Sequence, residues 1–494
     1  MSTGNYIEAV LDGIGADPDR VVFHQPDGST LTAAAVTDLI HRTAHVLRAR
    51  GVRHGSTVAL LSGNRAEVQT TRYAANLLGA RIVSLYEGMA AETLAVIAAD
   101  VETDVLVADP EHAAQAAFIA ERALIKEVLS FDDLLALVAD APSTPIAPEP
   151  VREDEIWCVR HTGGTTGHPK GITMTFGAHL AQLSDPRRPR TPSVLLVAST
   201  LAHMAGMFVD GVLTGGGSVI VRTGFEPAEV LDAIERHRVN AMWLLPALLY
   251  RLTEQQRRRP RDTSSLRMVM YGGAAASPAR LAEAVEAFGP VLMQVYGQTE
   301  AGGISALMPE DHRRPELLGT AGRLTPGVEL RFVDADGRDV PAGQSGEIVK
   351  KSTGESRGYL NNPELTAQVW RDGWVHTGDV GFLDADGYLH IQDRIKDMII
   401  VVGGHVYPAE VEAVLLTHPA VAEAAVFGVR DTDGVEQVHA ALVLRSPLDL
   451  AAVQAHVAEH MGRQYAPAGI TVLDAIPLTD VGKPDKKLLR EQMR

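Results

Sequence analysis

The stretch HTGGTTGHPKG, His161 to Gly171, decides how this chain is read. It follows the strand-like run EIWCVR and combines glycines, threonine hydroxyls and one lysine. Glycines after a strand leave backbone N–H groups open, and such groups can wrap phosphate oxygens. Thr162, Thr165 and Thr166 add hydroxyl donors, and Lys170 adds positive charge. The pattern is not a Walker A loop, which needs Gly-Lys-Ser/Thr in succession. Here His168 and Pro169 separate Gly167 from Lys170, and Gly171 follows. It is not a GxGxxG dinucleotide fingerprint either. Taken alone, the loop also suits a surface turn.

Working outward, the first third alternates helix and strand signals. Val36, Leu39, Ile40, Ala44 and Leu47 fall on one helical face. STVALLSGN, RIVSLY and DVLVAD read as short strands, separated by the helix-like RAEVQTTRYAANLLGA and AAETLAVIAAD. This alternation predicts βαβ units and a mostly parallel sheet. A Pro-rich linker, Ala141 to Asp154, leads to the glycine loop. A second α/β unit follows, with strands at SVLLVAST, GSVIVRT, LRMVMYGGA and VLMQVYGQTE. Its helix SPARLAEAVEAFG carries Ser277 as N-cap, Pro278 in the first turn and Gly289 at the end. The apolar AMWLLPALL is read as a helix near Trp243. From about Leu317, Asp-Gly turns between alternating runs predict hairpins. The last hundred residues mix strands and helices as a small α+β domain. The fold class is therefore α/β: a large N-terminal domain of βαβ units plus a β-rich segment, then a small C-terminal domain.

The chain has 494 residues, 46% of them hydrophobic, which suffices for more than one domain core. Its 62 acidic and 45 basic residues leave a formal net charge of −17. That repels a nucleic-acid backbone, so no nucleic-acid partner is expected. Cys158 is the only cysteine, which excludes an intramolecular disulfide and a cysteine metal cluster. The start lacks a secretory signal pattern. The tract Val194 to Val221 is interrupted by His203, Asp210 and glycines, so no membrane span is expected. A soluble, cytoplasmic protein is the simplest expectation.

Five more stretches follow the loop in order: YGGA (Tyr271 to Ala274), YGQTE (Tyr296 to Glu300), TGD (Thr377 to Asp379), DRIKD (Asp393 to Asp397) and GKPDKKLLR from Gly482. Together with HTGGTTGHPKG, this set resembles the adenylate-forming superfamily of acyl- and aryl-CoA synthetases, peptide-synthetase adenylation domains and luciferases. The resemblance covers nearly the whole chain. The family's loop commonly reads (Y)TSGTTGxPKG. Here His161 stands for the aromatic and Gly163 for the serine. Any role of that serine is absent here, while the backbone donors remain.

The resemblance implies a two-step reaction. A carboxylate attacks the α-phosphate of ATP, giving an acyl-adenylate and pyrophosphate, and a thiol then displaces AMP. It implies that Thr162, Gly163, Gly164, Thr165, Thr166, Gly167 and Lys170 hold phosphate. Gly272, Gly273, Ala274, Tyr296, Gly297, Gln298 and Thr299 would hold the adenine side, with Tyr296 stacked on the base. Asp379 and Arg394 would take the ribose, and Glu300 would hold Mg²⁺. Lys483 would bridge the substrate oxygen and the α-phosphate. Lys483, Glu300, Thr162 and His203 are the catalytic candidates. The family's hinge falls at Lys396, which divides the chain into 1–393 and a mobile 394–494. Rotation there would bring Gly403 and Gly404 to line a thiol tunnel.

By the same resemblance, the acyl pocket draws on His203, Met204, Met207, Phe208, Trp243, Gly302, Gly303 and Ile304. His203 either steers an anionic substrate or is a satisfied half-buried histidine. The Met-rich, aromatic edge suits a flat or modest hydrophobic acid, with a medium fatty acid also open. The expected activity is ligation of an aryl or medium hydrophobic acid to CoA. Loading of a separate carrier protein, and ATP-dependent activation of nitrite for coupling to an aromatic amine, are the alternatives. A homodimer is one expectation for assembly.

Overall fold

The computed structural model describes residues 4–162, 169–185, 192–354, 356–401, 404–430, 436–479 and 483–492; at Thr162, Gly404 and His405 the description is of backbone only. Of the expected site, Gly163, Gly164, Thr165, Thr166, Gly167 and Gly403 lie outside the described residues. The chain is mixed α/β, with a large N-terminal domain and a smaller C-terminal one. By contacts it forms two compact units. One comprises Met1–Trp243, Arg258–Val269 and Thr353–Ala367; the other comprises Leu244–Arg257, Met270–Ser352 and Gln368–Arg494.

The first unit holds a seven-stranded sheet in the order Ser356–Tyr359, Lys170–Thr175, Ile156–Thr162, Arg81–Leu85, Thr57–Leu61, Val105–Ala108, Glu127–Ser130. Its last five strands run parallel, as the alternating helix and strand signals predict. The run TVALL is buried at every position, the mark of a central parallel strand covered on both faces. The helix Ala33–Ala49 buries Val36, Ile40, Ala44 and Leu47 and is capped by the Thr32 side chain. The helix Ala66–Leu77 is buried along its whole length. A second set of strands runs Ala241–Leu244, Val194–Val197, Ser218–Val221, Val21–His24, Thr30–Thr32.

The second unit holds three strand groups. The strand Met268–Gly272, of which residues 270–272 belong to this unit, is followed by Leu292–Gln298, Gly302–Leu307 and Arg323–Leu324. An antiparallel sheet is built on the ten-residue strand Trp374–Leu383, which pairs with Gly346–Lys351, Trp370–Arg371 and Leu389–Arg394. The C-terminal residues form a three-stranded sheet, Val421–Arg430, Glu436–Leu444 and Gly469–Val472, packed on the helices Pro408–Leu415 and Leu450–Met461.

One local expectation is corrected. Trp243 lies on the strand Ala241–Leu244, and the helix begins only at Pro246. Proline fits the first helical turn, so Pro246 splits an apolar run whose periodicity could not separate strand from helix. Ser277 does occupy the N-cap position, yet its side chain makes no capping bond; its N–H donates to the Tyr250 hydroxyl at 2.7 Å. Among the described residues no helix is long and apolar enough to cross a membrane.

Candidate adenylate site

In the second unit, one carboxylate gathers residues from three separated motifs. Asp379, 4% exposed, accepts hydrogen bonds from the Tyr296 hydroxyl at 2.7 Å and from Gln298 Nε2 at 2.7 Å. Arg394 Nε lies 3.0 Å from its other oxygen. The long strand Trp374–Leu383 supplies Asp379, and its register neighbour across the hairpin is Arg394. Tyr296 and Gln298 end the strand Leu292–Gln298. Burial, with Asp379 beside it, pushes the Tyr296 phenol well above its ordinary range, so it stays a neutral donor.

The turn after Gln298 is tightly made. A Cβ at Gly297 would stand 2.4 Å from the Gly302 carbonyl oxygen, so only glycine fits there. Gly302 adopts a positive φ of 67°. Thr299 and Glu300 sit half-buried in this turn. Gly303 has open space where a side chain would stand, whereas Ile304 points into the core with Ala301 and Ile348. Upstream, Gly273 is exposed with φ 79° and Ala274 is half-buried, while Gly272 is buried. Tyr271, just before them, is fixed by contacts to His312 Nε2 at 2.9 Å and Gln294 Oε1 at 3.2 Å.

Lys483 joins this field. Burial lowers its ammonium pKa, Arg394 and Lys396 lower it further, and Asp379 and Glu300 oppose the shift. A turn anchors it: its N–H donates to Thr479 Oγ1 at 3.2 Å, and its carbonyl accepts from Thr479 N–H at 2.6 Å. The hinge motif is anchored as well. Asp393 accepts from Arg394 N–H at 2.7 Å and from Ala409 N–H at 3.0 Å, at the start of the helix Pro408–Leu415. Sequence reading missed Asp393, whose partner is sixteen residues away with no pattern to announce it. Gly404 opens the strand Gly404–Val406.

In the first unit, the described residues on either side of the phosphate-loop candidate belong to two antiparallel strands, Ile156–Thr162 and Lys170–Thr175. Thr162 pairs with Lys170 and His161 with Gly171. His161 is 8% exposed, and burial lowers its pKa to about 4, so it is a neutral ring. Gly171 makes room for it: a Cβ there would meet His161 Nε2 at 2.9 Å. A histidine thus fills a slot suited to an apolar ring. Lys170 Nζ lies 5.8 Å from the Tyr359 ring centroid, a cation–π distance.

The helix Met204–Thr214 has two unlike faces. Ala205, Gly206, Val209, Asp210 and Leu213 are buried, and Met204, Met207 and Phe208 are half-buried. Phe208 packs on Trp243 with centroids 5.4 Å apart, and His203, at the N-cap, lies 5.6 Å from Tyr86. The buried face is clamped by a network that the sequence did not reveal. Asp210, with no exposed surface, accepts from Tyr73 at 2.6 Å and Gln69 at 2.9 Å and pairs with Arg72. His203, Met204, Met207, Phe208 and Trp243 belong to the first unit, and Gly302, Gly303 and Ile304 to the second.

Residues 13–360 match the AMP-binding enzyme family, and residues 410–483 match the AMP-binding enzyme C-terminal domain. The chain belongs to the adenylate-forming AMP-binding enzymes. It is 35% identical to a medium/long-chain-fatty-acid–CoA ligase, FadD8, of Mycobacterium tuberculosis, over 93% of this chain and 85% of that one. It is also 35% identical to a feruloyl-CoA synthase of an Amycolatopsis species, covering 95% and 97%. Its structure is similar to that of the amide bond synthetase McbA from Marinactinospora thermotolerans, with a TM-score of 0.91, 37% identity and full coverage of both chains.

As an AMP-binding enzyme, the chain presents a donor set that suits a nucleotide. Asp379 can accept from sugar hydroxyls, and Arg394 and Lys483 could supply positive charge to developing oxyanions. The half-buried Glu300 offers a carboxylate of the kind that would hold Mg²⁺, a hard cation bound by one or two carboxylates with substrate phosphates completing its shell. Mg²⁺ bound there would neutralise phosphate charge during transfer.

Proposed function

We propose that this enzyme activates a carboxylic acid with ATP and passes the acyl group to the thiol of CoA. In the first step a carboxylate oxygen bonds to the α-phosphorus and pyrophosphate leaves. In the second, the thiol sulfur bonds to the acyl carbon, AMP leaves and the thiol proton is lost to solvent. The observation that carries this reading is the convergence on Asp379 of Tyr296, Gln298 and Arg394, with the Lys483 ammonium in the same field as Glu300. Arg394 and Asp379 orient the ribose, and Lys483 holds the attacking and phosphate oxygens together. The glycine- and threonine-rich segment from Thr162 to Lys170 takes the phosphates, and Thr162 assists there.

The acid is an aryl or medium hydrophobic one. The half-buried Met204, Met207 and Phe208, with Phe208 against Trp243, offer a flat apolar surface. Residues 394–494 turn about Lys396 between the two steps, withdrawing Lys483 and bringing Gly403 and Gly404 to the thiol path.

A second reading keeps adenylation and changes the acceptor. The full-length similarity to an amide bond synthetase favours an amine, whose nitrogen would displace AMP and give an amide. The two are separated by supplying ATP and one accepted acid with either CoA or a panel of amines. Mass spectrometry then reads thioester or amide. Amide formation with no thioester at saturating CoA would replace the thiol reading.

A further inference from the structure

Asp379 pairs with Arg394 on one side of its strand but stands outside the regular ladder on the other. Between Gly346–Lys351 and Trp374–Leu383, Glu347 pairs with Val380 and Val349 pairs with His376. Thr377, Gly378 and Asp379 therefore lie opposite Ile348 alone. This is a bulge, the device that re-aims side chains beside active sites. Gly378 takes a positive φ of 68°, which glycine adopts without a steric cost.

A bulge forfeits ladder hydrogen bonds, so its backbone groups need other partners. The Thr377 carbonyl accepts from Gln298 Nε2 at 2.9 Å, and the Gly378 carbonyl accepts from Ile395 N–H at 2.9 Å. Asp379 N–H donates to Thr377 Oγ1 at 3.1 Å, and that hydroxyl donates to the Ile348 carbonyl at 2.7 Å. The Gly378 N–H donates to Glu347 Oε1 at 3.1 Å. Glu347 Oε2 meets His376 Nδ1 at 2.8 Å. One carboxylate thus ties both residues flanking Thr377, in a place where both side chains are only 15–16% exposed.

We propose that Glu347 is a positioning residue for nucleotide binding: it holds the Thr377–Asp379 bulge and so aims the Asp379 carboxylate at the ribose. This rests on the reading of Asp379 as the ribose acceptor. A charged acceptor on a backbone N–H at partial burial is among the stronger hydrogen bonds, and its loss frees the turn.

The test compares wild type, Glu347→Gln and Glu347→Ala in acid-dependent adenylation with ATP, 2′-deoxy-ATP and 3′-deoxy-ATP. Glutamine can still accept from Gly378 N–H; alanine cannot. The expected result for Glu347→Ala is a KM for ATP raised roughly tenfold, the worth of one such bond. The KM for the acid stays unchanged, and the wild-type penalty for removing a ribose hydroxyl shrinks. Glu347→Gln keeps most of that penalty. Should Glu347→Ala not fold, Glu347→Asp supplies the comparison, since its shorter reach cannot span Gly378 and His376 together. Full wild-type penalties in the alanine or aspartate variant would overturn the proposal, as would equal rises in both KM values. Wild-type indifference to both deoxy nucleotides would remove it together with the ribose role of Asp379, leaving acid activation with ATP itself standing. Absence of adenylation with every acid would instead fail the proposed activity.

Discussion

Asp210 and His179, both buried, meet at 2.9 Å between Oδ2 and Nε2, while the other oxygen of Asp210 takes Tyr73, Gln69 and Arg72. Burial would raise the carboxyl pKa, yet the Arg72 guanidinium and the His179 contact hold it below the ordinary range. A buried carboxylate with this many donors fixes the helix Met204–Thr214 from its inner face. Replacing it leaves Arg72 as a buried charge without its counter-ion. Asp210→Asn is expected to cost about 3–5 kcal/mol of stability, the usual effect of breaking a buried pair from one side. Urea unfolding measures it; a loss under about 1 kcal/mol would mean that the pair is solvated or dispensable.

His161 gives a pH signature. Its folded pKa is about 4 against an ordinary 6.5, because burial penalises the imidazolium. The unfolded chain therefore binds a proton that the folded chain resists. Stability from the neutral ring is fully present above about pH 6.5 and falls as pH drops from there towards 4. The integrated effect is about 3 kcal/mol. His161→Phe removes this term, so the stability gap between variant and wild type should shift by that amount in the variant's favour over the window. Parallel pH profiles would contradict a buried neutral His161.

Lys483 separates the two half-reactions. Lys483→Ala is expected to slow adenylate formation by about 10²–10³-fold, the scale of losing one fixed transition-state charge. Thioester formation from supplied acyl-adenylate should change only a few-fold. Equal losses in both assays would remove Lys483 from the first step.

Much of this architecture was legible in the sequence. Short, largely apolar runs such as TVALL and IVSL mark a parallel sheet, and the face of Val36, Ile40, Ala44 and Leu47 marks its helix. The motif order named Tyr296, Gln298, Asp379 and Arg394 before the structure brought them together. What the motifs could not give is the contact itself: Tyr296 reaches Asp379 with its hydroxyl, across 83 residues. The Asp210 network was illegible because its partners lie up to 141 residues away and follow no period. Glu347 was illegible because a bulge depends on the count of residues in two strands, not on either strand's composition. Trp243 was misread because AMWLLPALL is apolar throughout, and only Pro246 marks where strand gives way to helix.

The central claim is acid activation, and acid-dependent ATP–pyrophosphate exchange with purified protein tests it most directly. The panel holds aryl and cinnamate-like acids, fatty acids of several lengths, and nitrite. The account predicts strong exchange with at least one aryl or medium-chain carboxylic acid and none with nitrite. Exchange driven by nitrite alone would contradict it and turn the search to aromatic amines.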